Sequence, residues 1–93
     1  MNTVLVIEDN PEIRENTEEM LLINHYHVLT AENGQVGYEM ARSRAPDIIL
    51  CYMMMPQSDG QTFLSLAKAD NNVQRIPIVF FSAGTMRPTQ QKS

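Results

Sequence analysis

Ninety-three residues with a net charge of −4, 43% hydrophobic and 19% charged, describe one small globular domain and exclude a disordered chain. The acidic balance speaks against non-specific contact with nucleic acid or anionic membrane, since both select basic faces. No apolar stretch approaches the roughly 18 residues of a bilayer span. MNTVLVIEDN lacks the basic start of a signal peptide, and Cys51, the only cysteine, allows no internal disulfide. The expectation is a soluble, cytoplasmic protein without a membrane or direct nucleic-acid partner.

Thr3 to Ile7 (TVLVI) is a short run without helical period and reads as a buried strand. Asn10 is a good N-cap and Pro11 suits the first helical position, so a helix begins there. Ile13, Thr17, Met20, Leu21 and Asn24 follow at helical spacing as its inner face, with Glu12, Arg14, Glu15, Glu18 and Glu19 mostly elsewhere. Tyr26 to Ala31 reads as a second strand. Gly34 to Arg44 reads as a second helix, with Val36, Met40 and Ala41 inward and Pro46 closing it. Asp47 to Tyr52 is a third strand, Gly60 to Ala69 a third helix with Phe63, Leu64 and Ala67 on one side, and Ile76 to Ser82 a fourth strand. Strands alternating with helices, the strands almost wholly apolar, predict an α/β fold with a mainly parallel sheet covered on both faces. Gly84 to Ser93 is polar and aperiodic, which predicts a domain over residues 1–84 and a flexible tail over 85–93.

In such a sheet the functional crevice lies beyond the carboxyl ends of the strands. Those ends supply Glu8 and Asp9, Tyr52, and Ser82. Adjacent carboxylates are credible ligands for a divalent cation such as Mg²⁺, which brings phosphate with it, although a helix dipole favours acids before its first turn whatever the function. His25 and His27 bracket Tyr26 far from these ends and read as surface residues. Met53, Met54 and Met55 read as loop and packing residues, and Cys51 as an inert core thiol.

Three segments together resemble the receiver domain of bacterial two-component response regulators. VLVIEDNPEIRENTEEML is similar to the family's first strand, acidic pair and first helix. PDIILCYMMMPQSDGQTFL is similar to its third strand, M-P turn and the D-G opening the third helix, and IPIVFFSAG to its fourth strand. The resemblance implies a flavodoxin-like, doubly wound parallel sheet, here with about four strands in the order 2-1-3-4 and three helices. It also implies that Glu8 and Asp9 hold Mg²⁺, that Met54 offers a backbone carbonyl to the metal, and that Ser82, followed by Ala83, contacts the phosphoryl group. Tyr52 falls where the family has the aspartate that accepts phosphate from a sensor histidine kinase.

A phenol stays protonated at neutral pH and is a poor metal ligand. It also reaches too far to overlay a carboxylate oxygen within the roughly 0.5 Å that a preorganised site tolerates. The expectation is therefore no phosphoryl transfer, weak or absent Mg²⁺ binding, and action by protein contact, with a histidine kinase or other signalling protein as partner. The other account of Tyr52 is a truncated or point variant of a phosphorylatable receiver. The family also continues into a fourth helix, a fifth strand with a lysine before a proline, and a fifth helix, none of which is expected here. The fourth strand then becomes an apolar edge, which predicts a homo-oligomer through that edge. Two alternatives are an active Mg-dependent phosphoacceptor receiver and a small flavodoxin-like ligand-binding domain. EDNP stands where the latter needs a glycine-rich phosphate loop.

Overall fold

Val4 to Ile7 have no polar neighbour to keep on a wet face, and all four are buried within β1 (Thr3–Ile7). The computed structural model describes residues 2–52 and 59–81. After β1 come α1 (Pro11–Ile23), β2 (His27–Ala31), α2 (Gly34–Arg44), β3 (Ile48–Tyr52), α3 (Asp59–Lys68), α4 (Asn71–Gln74) and β4 (Ile78–Phe81). The strands form one parallel sheet in the order β2-β1-β3-β4. This is the expected α/β flavodoxin-like order, because each helical crossover returns the chain to the same end of the sheet.

Alternation along the strands sorts the packing. Leu5, Ile7, Ile49 and Cys51 form one face and join Ala41 of α2, Phe63 and Ala67 of α3, and Val73 of α4 in a single core. Gly37 lets α2 lie close to β1: a Cβ there would overlap Ile7 Cδ1 and stand 2.8 Å from Cγ1. Val4 and Val6 point to the other face, as does Tyr52, whose side chain meets α1.

Helix starts are set locally, as expected for the first helix at Asn10. The Asn10 side chain accepts from the amides of Glu12 (2.9 Å) and Ile13 (3.1 Å), and Asn33 from that of Val36 (2.8 Å). Inner faces match less well. Met20 and Asn24 of the first helical pattern are exposed, as is Val36, and Thr17 is the sole buried residue of α1. Helical spacing identifies a stripe but not whether a neighbour covers its full length. β2 and β3 each start one residue later than expected, and β4 starts two later.

The short α4 is a further helix beyond the three expected. Asp70 creates it by accepting from Asn72 (2.9 Å) and Val73 (3.2 Å), while the Tyr38 hydroxyl donates to its other oxygen (2.9 Å). These bonds hold the Asp70 carboxyl below its ordinary pKa, the Val73 amide contributing most. Cys51 is buried.

Candidate functional site at the carboxyl end of the sheet

The parallel register aligns Ile7 with Cys51, Cys51 with Phe80, and Tyr52 with Phe81. One step past the last β1 pair, Glu8 therefore stands level with Tyr52. The sheet thus brings together the end of the first strand and the Tyr52 position, although 44 residues separate them. Ser82, Ala83 and Met54 lie outside the described residues.

Glu8 is 1% exposed, an unusual setting for a carboxylate. Its backbone extends the ladder by one bond, donating to the Ala31 carbonyl at 3.0 Å. Its Oε2 accepts from the Asn10 amide at 2.8 Å, whereas Oε1 is buried with no hydrogen-bond partner among the described residues. Burial pushes the Glu8 carboxyl above its ordinary range, and the neighbouring charge of Asp9 adds to this. The Asn10 amide and the Arg14 guanidinium pull the other way. Asp9 is exposed at the mouth of the same turn.

Tyr52 is half-buried, and its hydroxyl lies 3.0 Å from Oγ1 of Thr17, either group serving as donor. The phenol thus spans from β3 to α1. Arg14, one helical turn before Thr17, donates from Nη1 to the Glu8 carbonyl at 2.8 Å. Neither contact is legible in the sequence, where Thr17 reads as an inner-face residue and Arg14 as one outside that face. Their three-residue spacing, which puts both on one side of the helix, was the available signal.

The chemistry of this arrangement is that of a half-built cation site. A buried carboxylate oxygen without a donor is what a divalent ion satisfies, and Asp9 adds a second carboxylate beside it. The neighbour on β3 contributes a hydroxyl rather than a third carboxylate. Among the described residues no three His, Cys, Asp or Glu side chains gather into a metal centre. His25 and His27 are exposed at the α1–β2 turn.

A model of the response regulator receiver domain matches residues 4–93, and the chain belongs to that family. It is 39% identical over 80 residues to the hybrid signal transduction histidine kinase D of Dictyostelium discoideum, covering 86% of this chain and 5% of that protein. It is 36% identical to the response regulator PleD of Caulobacter vibrioides, again over 86% of this chain and 18% of that one. The chain spans only a small part, 5% to 8%, of the first curated relatives it matches.

Among solved structures, the N-terminal domain of a response regulator receiver protein from Methanoculleus marisnigri JR1 superimposes with a TM-score of 0.82 at 30% identity. The match covers 97% of this chain and 73% of that one. The receiver domain of the sensor histidine kinase PA1611 from Pseudomonas aeruginosa PAO1, which holds a magnesium ion in its active-site cleft, gives a TM-score of 0.80 at 27% identity, with 97% and 74% covered. Receiver domains are signalling modules of two-component systems rather than classical enzymes. No helix among the described residues is long and apolar enough to cross a membrane.

Proposed function

We propose that this chain is a receiver module of a two-component phosphorelay that accepts no phosphate at Tyr52 and works by contact with other proteins, a sensor histidine kinase being the natural class of partner. The observation that carries this reading is the 3.0 Å bond between the Tyr52 hydroxyl and Thr17. The side chain at the acceptor position is a phenol committed to α1, beside a Glu8 whose burial raises its pKa.

Glu8 and Asp9 would hold the Mg²⁺ that receivers use, with the Met54 carbonyl as a third donor, and Ser82 and Ala83 stand at the family's phosphate-contact position. When bound, the ion supplies charge that neutralises phosphoryl oxygens. With two carboxylates instead of three, its affinity falls, because a unit charge at ~4 Å is worth about 4 kcal/mol even at an effective dielectric of ~20. The boundary at residue 84, the tail over 85–93 and a cytoplasmic location belong to the same reading, as does self-association through β4. That association is supported by β4 being the outermost strand of the described sheet, with Val79 39% and Phe80 40% exposed.

Titration with Mg²⁺ and then beryllofluoride tests the central claim on the parent chain and on Tyr52→Asp. The parent is expected to bind Mg²⁺ at least about tenfold more weakly, ~1.4 kcal/mol, and to bind no beryllofluoride, while the substitution restores both. Equal binding by the two chains would set the reading aside.

A further inference from the structure

Helix α1 crosses the sheet face on which Val4 and Val6 are buried, but its own side chains are mostly not enclosed. Thr17 is its only buried residue, at 6% exposure, while Met20, Leu22 and Ile23 stand in solvent. Two polar bonds add to that packing at the carboxyl end of the strands. Arg14 Nη1 reaches the Glu8 carbonyl at the end of β1 (2.8 Å), and Thr17 Oγ1 meets the Tyr52 hydroxyl at the end of β3 (3.0 Å). The two anchors are on adjacent parallel strands and level with one another. Arg14 and Thr17 are three residues apart, so both bonds leave the same side of the helix, almost one turn from each other. A single bond leaves the helix free to pivot about it, whereas two separated bonds restrict it to turning about the line that joins them.

We propose that Tyr52 is a positioning residue whose hydroxyl, through Thr17, pins α1 to the end of β3. The surface that α1 carries, including Met20 and Ile23, is thereby held in one placement with no phosphate on the site, given that Tyr52 is no acceptor. The position that would otherwise carry the signal instead acts as a permanent brace. Thr17 is suited to this because a buried hydroxyl must find a partner, and Tyr52 is the partner it has.

Hydrogen–deuterium exchange of the α1 amides tests the brace, using the whole chain and its Tyr52→Phe, Thr17→Val, Thr17→Ser and Tyr52→Phe/Thr17→Val variants. Tyr52→Phe and Thr17→Val are each expected to speed α1 exchange by roughly three- to tenfold, leaving the β1 and β3 amides unchanged. The double variant is expected to fall well short of the product of the two single effects. Thr17→Ser keeps the hydroxyl and is expected to exchange as the parent does, which loss of packing alone would not give. Unchanged α1 exchange in Tyr52→Phe, independent effects that multiply, or faster exchange throughout the sheet would each overturn the proposal. Intact-mass measurement after acetyl phosphate tests the other reading separately. A phosphoryl group on Tyr52 would overturn the non-acceptor assignment and the phosphate-independence with it, whereas the brace stands or falls on exchange alone.

Discussion

Glu8 gives the residue scale its sharpest test, since the same burial that raises its pKa makes its charge costly to the fold. A carboxyl whose folded pKa lies above its ordinary value binds its proton more tightly in the native state. The folded state is therefore favoured at low pH, and that contribution is lost as pH climbs from about the unfolded value of 4.5 through the raised folded one. Glu8→Gln removes the ionisation and keeps the shape. We expect the variant to be more stable than the parent at pH 7 by about 1 kcal/mol, with the gap narrowing towards pH 4.5. Urea midpoints at several pH values measure this, and a pH-independent gap would contradict it. Loss of stability at a site built for a ligand is a common trade.

At the scale of single elements, the end of α1 carries a cost that its sequence only partly discloses. The His25 amide donates to the Leu22 carbonyl (2.9 Å) and the Tyr26 amide to that of Leu21 (3.1 Å), the paired closure of a Schellman turn. That turn needs a left-handed residue, and His25 adopts it with φ of 70° where glycine is usual. Ala45 does the same after α2 at φ of 49°. His25→Gly is expected to stabilise the protein by about 0.5–1 kcal/mol, read as a thermal midpoint a few degrees higher. No change, or a lower midpoint, would mean that the His25 side chain earns its place by contacts that the exposed position does not suggest. The boundaries of α2 were legible to the residue because Asn33 caps one end and Pro46 follows the other. α4 was not, since its four residues show no period and depend on the Asp70 side chain.

For the whole molecule, β4 is the outer strand of the described sheet. Ile78 packs on the core, while Val79 and Phe80 remain exposed at the outer strand of the described sheet. An apolar edge recruits another strand unless something blocks it. Sedimentation over a range of micromolar concentrations is expected to show self-association that Phe80→Lys weakens. A parent chain that stays monomeric throughout would set the proposed β4 contact aside.

By itself, the sequence determined every described element but α4, and their order. Apolar runs, side-chain caps and helical spacing act over a few residues, and they suffice to place β1, α2 and the parallel sheet built from them. The acidic pair and Tyr52 were also visible as the ends of strands. Only the tertiary structure decided that Glu8 is buried with an unsatisfied oxygen, that Met20 and Val36 face outwards, and that the Tyr52 hydroxyl turns to Thr17. Those facts depend on which residues from distant parts of the chain come to lie side by side. A bond between positions 17 and 52 exists because α1 lies across the face of the sheet that Tyr52 occupies, and no local pattern at either residue encodes that meeting.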